Sequence, residues 1–272
     1  MGRTYTAYQF GAHFFRSRRW DSFHSPYLFR LFTHCCNEKE VAPLFDRIEQ
    51  QRELLKSSKE IIPRKDFGAG SSFGLEVKTE HISTVARHAL SLPFQCRFLY
   101  RLAGFVSPEV IVEFGTSLGI SASYLAAGAP GAVLHTVEGD PEISGRASKV
   151  FAALGLNNIT LHTSTFDMYL GASAKDLRKI DLLFVDGHHT SAALLHYYHG
   201  VREQVHAKSI IVVDDLYWSE DMQAGWKKMI SLPEVTQSVD CFHFGLLFFN
   251  PDFQNKENHI VRLPLRMQLT KG

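Results

Sequence analysis

Hydrophobic residues are grouped in short runs along the second half of the chain, and helix-compatible segments separate the first five of these runs. Alternation of this kind is typical of βαβ units and predicts a parallel sheet. The strand candidates are residues 110–114, 132–137, 159–162, 181–185, 209–213, 238–242 and 244–249. The pattern therefore predicts an α/β fold with a doubly wound, mostly parallel sheet.

The last apolar runs predict a different connection. Only Asp240, His243 and Gly245 interrupt residues 239–249, which leaves too little chain for a crossover helix. Two antiparallel strands or one long bulged strand fit this stretch, and a further strand is expected at residues 258–262. The sheet is therefore expected to include a C-terminal antiparallel strand.

The N-terminal part of the chain shows helical patterning. Ser25 followed by Pro26 is typical of a helix N-cap with proline in the first turn, so a helix is expected over residues 27–36. Residues 46–59 are charged and compatible with a second helix. These segments predict a helical extension in front of the sheet.

A loop is expected between this extension and the sheet. Residues 63–74 are rich in glycine and serine, which predicts a mobile lid or a linker, and helical patterning resumes over residues 79–103. We therefore divide the chain into an N-terminal helical extension and loop, residues 1–78, and the main α/β domain, residues 79–272.

Composition limits the partners. With 272 residues and a net charge of +1, the chain can bury a large core and has no general attraction to nucleic acid or anionic membranes. Its four cysteines form no C-x-x-C pair, and no apolar run reaches about 18 residues. We expect a cytoplasmic protein without nucleic acid or membrane partners, whose aromatic N-terminal arm could serve a homodimer interface.

A glycine turn follows the first strand candidate. Glu113 ends the apolar run, and the spacing E-x-G-x-x-x-G continues through Gly115 and Gly119, with hydroxyls at Thr116 and Ser117. A strand, a glycine turn and a helix together present backbone N–H groups to a nucleotide-like ligand. The alternative is an ordinary βα turn in which the glycines serve packing.

Two further positions support a nucleotide-like ligand. Glu138 ends the next strand candidate, 19 positions after Gly119, where a carboxylate would face ribose hydroxyls. Thr165 and Phe166 follow the third strand candidate and could hold an adenine, although a segment of this kind, taken alone, is more often a plain strand-to-helix turn.

Carboxylates and histidines follow the fourth and fifth strand candidates. Asp186, Asp214 and Asp215 are expected to meet at one sheet edge, and such oxygen-rich sets suit Mg²⁺ or another divalent cation. His189 lies three residues after Asp186 and could act as a general base. The alternative is that the aspartates cap a helix and hold a loop, and that the histidine makes local hydrogen bonds.

Taken together, these motifs resemble the class I S-adenosylmethionine-dependent methyltransferases, with a Rossmann-like fold, over about residues 105–262. E-F-G-T-S-L-G and V-E-G-D-P-E carry the superfamily resemblance. F-V-D-G-H-H and V-V-D-D-L-Y-W-S are similar to O-methyltransferases of the catechol type and to related small-molecule enzymes with a D-G-x-H motif. Residues 24–29, H-S-P-Y-L-F, resemble a motif of uncharacterised Bacteroidetes-type methyltransferases.

The resemblance implies S-adenosylmethionine as cofactor and a small-molecule methyl acceptor. It implies that Glu138 binds the ribose and that Thr165 and Phe166 lie near the adenine. The methionine part is assigned to Glu113, Gly115, Thr116, Ser117 and Gly119.

The resemblance also assigns roles to the carboxylates. Asp186 is placed at the cofactor and, with Asp214 and Asp215, at a divalent cation. Catechol-type enzymes have asparagine at the second position of the aspartate pair and lysine as the base, so Asp215 and His189 depart from that pattern.

The sequence therefore predicts methyl transfer to an oxygen, or less readily a nitrogen, by in-line displacement, with His189 and Asp186 as catalytic groups. Two alternatives remain. One is a non-catalytic cofactor-binding protein on the same scaffold, and the other is an NAD-dependent oxidoreductase, which normally carries the tighter G-x-G-x-x-G turn.

Overall fold

A nine-stranded sheet runs through the protein in the computed structural model, which describes residues 3–36, 43–65, 77–253, 255–265 and 267. A separate two-stranded hairpin lies outside this sheet. In chain order the described strands are β1 (Arg18–Arg19), β2 (Ile61–Lys65), β3 (Val77–His81), β4 (Val110–Phe114), β5 (Val133–Glu138), β6 (Ile159–Thr163), β7 (Ile180–Val185), β8 (Val205–Asp214), β9 (Gln237–Asp240), β10 (Phe244–Phe248) and β11 (Glu257–Arg262).

Helices connect the strands and cover both faces of the sheet. In chain order the described α-helices are α1 (Arg3–Arg16), α2 (Pro26–Cys35), α3 (Pro43–Ser57), α4 (Ile82–His88), α5 (Pro93–Val106), α6 (Ile120–Gly128), α7 (Pro141–Leu154), α8 (Phe166–Gly171), α9 (Ser191–Val201) and α10 (Glu220–Ser231). Among these, no helix combines the length and the apolar character needed to cross a bilayer.

The strand order of the large sheet is β1-β11-β9-β10-β8-β7-β4-β5-β6, and every pairing that does not involve β10 is parallel. β10 runs antiparallel to both β8 and β9, with Gly245 opposite Val213 and Asp240. The predicted doubly wound, mostly parallel sheet with an antiparallel strand is therefore confirmed. Of the two arrangements considered for residues 239–249, the pair of antiparallel strands is the one observed.

Successive side chains of the central strands point to opposite faces of the sheet. Both faces are buried, which explains why these strands are continuous apolar runs. In β7 all six residues are buried, and Leu182 and Leu183 point into different clusters on opposite faces of the sheet. One face packs against residues of α2, α5 and α6, and the other against residues of α8, α9 and α10. A parallel sheet covered on both faces needs apolar side chains at successive positions, which is the pattern that the sequence shows.

The helical extension begins as predicted. The Ser25 hydroxyl accepts a hydrogen bond from the Leu28 N–H, 3.4 Å away, and caps α2. Leu31 and Phe32 of this helix are fully buried in the same cluster as residues of the sheet. The boundary between residues 78 and 79 stays a prediction, since the helices before it contribute to the core that follows it.

The small hairpin corrects two predictions. Residues 63–65 belong to β2 rather than to a loop, and residues 79–81 belong to β3 rather than to a helix. Ile62 is buried on one side of the hairpin against Ile82, and Arg64 pairs with Glu80 across it. These contacts between segments favour strands where the local pattern predicted loop and helix. The rest of the predicted lid or linker, residues 66–74, lies outside the described residues.

Candidate functional site

A cavity of about 470 Å³ opens where the parallel strands β4, β5, β7 and β8 end. The carboxyl ends of parallel strands are where open α/β sheets bind their ligands. Eight of the residues singled out in the sequence line this cavity, namely Gly115, Ser117, Glu138, Phe166, Asp186, His189, Asp214 and Asp215. The fold therefore brings together side chains that are up to 100 positions apart in the chain.

Four other predicted residues do not line the cavity. Their contacts hold neighbouring parts of the chain in place. The Thr116 and Thr136 hydroxyls are 2.5 Å apart, and the Thr136 hydroxyl donates to Glu113 Oε2 at 2.5 Å. A Cβ atom on Gly119 would lie 2.7 Å from the Phe151 ring. Thr165 caps α8 by accepting a hydrogen bond from the Met168 N–H. Their assignment to the cofactor stays a prediction.

The glycine turn is tied directly to the loop that carries Asp186. Gly115 has φ +105°, and a Cβ atom built on it would lie 1.9 Å from the carbonyl oxygen of Asp186. The Asp186 N–H donates to the carbonyl oxygen of Phe114 at 2.8 Å. Only glycine accommodates both this φ and this approach, so the turn after β4 and the turn after β7 form one wall of the cavity.

Backbone strain is concentrated at the cavity. The described residues include five non-glycine residues with positive φ, and Ser117, His188 and Asp215 among them line the cavity. Such conformations cost free energy and persist where the surrounding structure holds them, which is common at binding and catalytic sites. His188 also hydrogen-bonds through Nδ1 to the Tyr197 hydroxyl, which fixes its ring.

Glu138 is held in a fixed orientation at the end of β5. Its Oε2 accepts a hydrogen bond from the Ser117 N–H at 2.9 Å, and its Oε1 accepts one from the Asp140 N–H at 3.0 Å. Burial raises the pKa of this carboxyl, and the two backbone donors counteract the rise. Each carboxylate oxygen retains a lone pair, so the group can accept two hydroxyls of a ligand in the cavity.

Glu113 lies beneath the turn and is fully buried. Burial raises its pKa to about 8, although the hydrogen bond from Thr136 favours the charged form. A buried carboxyl beside the cavity is thus largely protonated at neutral pH. A cationic ligand group nearby would favour its ionised form.

This pKa makes stability depend on pH. A carboxyl whose pKa is higher in the folded state stabilises folding most below its unfolded pKa, and this contribution is lost as the pH rises towards about 8. Between about pH 5 and about pH 9 the thermal unfolding midpoint should therefore fall, and it should fall less steeply in Glu113→Gln. The exposed Glu109→Gln is the matched control. Equal slopes in Glu113→Gln and wild type would contradict this assignment.

Three carboxylates, those of Asp186, Asp214 and Asp215, lie together in the cavity lining. Burial raises the pKa of Asp186, Asp214 and Asp215, and His189 counteracts the rise at Asp186 and Asp215. His189 Nε2 lies 3.9 Å from Asp186 Oδ1 and 4.0 Å from Asp215 Oδ2. The imidazole is therefore between two of the carboxylates and close enough to exchange a proton with a ligand beside them.

Two residues that the sequence analysis missed complete this arrangement. The Gln95 side-chain amide donates to Asp214 Oδ1 at 2.8 Å, while its Oε1 accepts a hydrogen bond from the Leu92 N–H. The Ser91 hydroxyl donates to Asp186 Oδ2 at 3.3 Å. Both residues precede or begin α5, and no local motif distinguishes them in the sequence.

The carboxylates were predicted to hold a divalent cation, and their surroundings do not fit one. Gln95 directs an amide N–H at Asp214, and a cation repels such a donor. Among the described residues, no group of three or more histidine, cysteine, aspartate or glutamate side chains is arranged to hold a metal ion. Instead, the Gln95 amide donates to Asp214, the Ser91 hydroxyl donates to Asp186, and His189 Nε2 lies 3.9 and 4.0 Å from Asp186 and Asp215.

Aromatic residues form the rim on this side. The Trp218 side chain is 58% exposed, lines the cavity, and lies 5.3 Å from the His189 ring. The neighbouring Tyr217 instead stacks on Phe242 and donates its hydroxyl hydrogen to Asp240 at 2.7 Å. Only Trp218 of this pair is placed to contact a ligand in the cavity.

Comparison with known families agrees with this geometry. Residues 112–216 match a family described as "Methyltransferase domain", a range that begins in β4 and ends just after β8. The matched range contains every predicted site residue, from Glu113 to Asp215. No curated protein sequence shows significant similarity to the chain.

Solved structures share the fold at low sequence identity. The O-methyltransferase TomG from Streptomyces achromogenes, in complex with S-adenosylmethionine, is 16% identical with a TM-score of 0.57, covering 78% of this chain and 91% of that one. A methyltransferase from Podospora anserina bound to S-adenosylhomocysteine is 15% identical with a TM-score of 0.58, covering 84% and 97%.

A third similar structure is the O-methyltransferase from Bacillus cereus in complex with S-adenosylhomocysteine, at 14% identity and a TM-score of 0.56, covering 78% of this chain and 93% of that one. Likeness at this identity establishes the fold. Residues 112–216 therefore resemble a methyltransferase domain, and the chain has the fold of the methyltransferases to which it is similar.

Proposed function

We propose that the protein is an S-adenosylmethionine-dependent methyltransferase that methylates an oxygen atom of a small molecule. The observation that carries this proposal is the position of Glu138. Its carboxylate is fixed by the N–H groups of Ser117 and Asp140 inside the cavity that the glycine turn borders. A carboxylate held in this way suits the two hydroxyls of a ribose.

The residues that line the cavity indicate how the cofactor would be oriented in it. Phe166 offers an aromatic side chain for the adenine, and Glu138, held by the Ser117 N–H of the glycine turn, can bind the ribose. Gly115 and Ser117 would contact the methionine part, with Glu113 behind them as a buried acid able to balance its ammonium group. Thr116, Gly119 and Thr165 would hold the surrounding backbone in place.

The acceptor would lie beside the carboxylates. The bound cofactor supplies an activated methyl group on a sulfonium, so the residues of this chain mainly position the acceptor and exclude water. His189 Nε2 would take the proton from the acceptor hydroxyl as the new bond to carbon forms. Asp186 and Asp215, about 4 Å from that nitrogen, would stabilise the imidazolium that results.

We propose that this chemistry proceeds without a divalent cation. The Gln95 amide and the Ser91 hydroxyl donate to oxygens of Asp214 and Asp186 that a cation would otherwise bind. The acceptor hydroxyl would then be activated by the base alone. The polar groups around it suit a hydroxyl that both donates and accepts hydrogen bonds.

Replacing Glu138 tests the cofactor assignment. In Glu138→Ala the loss of two hydrogen bonds to a charged acceptor should raise the dissociation constant for S-adenosylhomocysteine by about 30-fold or more, as measured by calorimetry. Glu142→Gln, which changes an exposed acid on α7, is the matched control and should bind as wild type does. Failure of the wild-type protein to bind S-adenosylhomocysteine at millimolar concentration would refute the proposed function.

Release of S-adenosylhomocysteine, measured beside cofactor binding, distinguishes the proposed enzyme from a non-catalytic binding protein. A non-catalytic cofactor-binding protein would bind S-adenosylmethionine and release no S-adenosylhomocysteine with any acceptor. The catalytic proposal is supported by the placement of a candidate base, His189, next to two carboxylates within the same cavity.

We further propose a cytoplasmic location and a small-molecule acceptor. The four cysteines are free and buried, which agrees with a reducing compartment. A homodimer through the N-terminal aromatic residues stays a prediction.

A further inference from the structure

A second cavity, of about 620 Å³, lies next to the candidate site and shares His243 with it. It is formed by α1, the segment around β1, the turn between β9 and β10, and the segment after β11. Phe10, Phe14, Trp20 and Phe242 contribute aromatic side chains to its lining. Its volume is that of a site for a small organic molecule.

The lining of this second cavity is cationic. Arg19 and Arg262 are its charged residues, and no acidic side chain is part of the lining. Arg19 is already engaged, since it donates to both carboxylate oxygens of Asp21 at 3.0 and 2.6 Å. Arg262 lies 4.9 Å from the centre of the Phe14 ring, and it forms no ion pair with the carboxylates in the described residues. Arg262 is therefore the cation available to a ligand.

Asp240, which directly precedes the lining residue Cys241, is engaged by other groups. Asp240 accepts the Tyr217 hydroxyl at 2.7 Å and lies 3.2 Å from His13 Nε2, so its charge is directed to groups other than the two arginines. Phe242, two residues further on, has φ +73°, and this strained turn presents its ring to the cavity. An aromatic surface with one unpaired guanidinium suits a flat ligand that carries an anion.

His243 connects the two cavities chemically. Burial and, as the smaller cause, nearby His13 together lower its pKa to about 4, so the ring is neutral at physiological pH. Its backbone carbonyl accepts the Asp215 N–H at 2.7 Å, which joins the wall of the second cavity to the carboxylates of the first. A neutral ring between an acidic and a basic cavity can contact the middle of a ligand without adding charge.

We propose that the second cavity binds an aromatic carboxylate, which is the non-reacting end of the methyl acceptor, with Arg262 as the residue that recognises its anion. The acceptor class would then be a hydroxylated aromatic acid. Its hydroxyl would lie on the side of the three aspartates, which repel an anion, and its carboxylate on the side of Arg262. This assignment rests on the proposed function, because it identifies the ligand as the acceptor.

The test uses 2-naphthoate and its neutral analogue 2-naphthamide as probes, titrated into the full chain by calorimetry. Arg262→Gln should weaken naphthoate binding about tenfold or more, since a charged hydrogen bond is lost, and should leave naphthamide binding unchanged. Arg262→Lys keeps the charge and should retain most of the naphthoate affinity. Arg178→Gln, an exposed arginine elsewhere, is the matched control.

Each titration is repeated with saturating S-adenosylhomocysteine. Naphthoate should still bind, because the second cavity is separate from the cofactor site. Displacement of naphthoate by S-adenosylhomocysteine, equal affinity in Arg262→Gln and wild type, or absence of naphthoate binding would each overturn the proposal. Failure of S-adenosylhomocysteine itself to bind while naphthoate binds would refute the proposed function and, with it, the assignment of the ligand as an acceptor.

Discussion

Replacing His189 by alanine is expected to lower the turnover number by a factor of about 10²–10⁴ while cofactor affinity stays unchanged. The imidazole is placed to accept a proton between two carboxylates, with its Nε2 3.9 Å from Asp186 and 4.0 Å from Asp215. Its ring also lies against Trp218 at the rim of the cavity, which limits its movement. Alanine removes the proton acceptor and leaves the positioning of the cofactor intact.

Turnover is measured as release of S-adenosylhomocysteine with the best acceptor from a panel of hydroxylated aromatic acids. His196→Ala is the matched control, because His196 is exposed and pairs with Asp167 outside the cavity lining. The wild-type rate should survive excess EDTA. Full activity in His189→Ala would show that His189 is not the base. Loss of the wild-type rate in EDTA would show that the reaction requires a divalent cation, contrary to the inference from the Gln95 contact.

Replacing Arg52 by methionine is expected to lower the free energy of unfolding by about 3–5 kcal/mol. Arg52 is 1% exposed, and its guanidinium donates to Glu49 at 2.9 Å and to the carbonyl oxygen of Ser91 at 2.8 Å. Tyr124 also donates to Glu49 at 2.9 Å, so the carboxylate is held from two sides. Methionine fills a similar volume but leaves Glu49 buried without its cation.

Lys56→Met is the matched control for this prediction. Lys56 lies on the same helix and pairs with Glu53 at the same i,i+3 spacing, but the pair is exposed and should contribute about 1 kcal/mol or less. The measurement is denaturant unfolding of both variants and of Arg52→Met/Glu49→Gln, in which loss of both charges should recover part of the stability. A loss in Arg52→Met no larger than in Lys56→Met would contradict the buried ion pair.

The hydrogen bonds of Arg52 also link it to the candidate site. The carbonyl oxygen of Ser91 accepts from Arg52, and the Ser91 hydroxyl donates to Asp186. Helix α3 of the N-terminal extension is thereby joined, through one residue, to a carboxylate of the cavity. The helices before residue 79 therefore support the site, although the matched family range begins at residue 112.

Much of the sheet could be predicted from the sequence because buried strands leave a local signal. The apolar runs at residues 110–114 and 181–185 became β4 and β7, and both faces of these strands are covered by helices. Strand-end positions then follow from the fold, since the carboxyl ends of parallel strands share one edge. Glu138, Asp186 and Asp214 occupy such strand-end positions, and all three line the cavity.

The hairpin of β2 and β3 shows where local patterns fail. Residues 63–65 and 79–81 carry weak signals of their own, and the pairing of Ile62 with Glu80 and of Pro63 with Thr79 makes them strands. Pairing between segments is a property of the folded chain. The sequence alone therefore predicted loop and helix there.

The sequence by itself determined the class of fold, the glycine turn and the acids at the strand ends, because strand periodicity and turn chemistry act over a few neighbouring residues. The tertiary structure decided which of these groups face the cavity, and it added Gln95, which contacts Asp214 across 119 positions of chain. It also placed Arg262 beside Phe14 in a second cavity. Such contacts depend on how distant segments pack, and packing over long separations leaves no pattern among neighbouring residues.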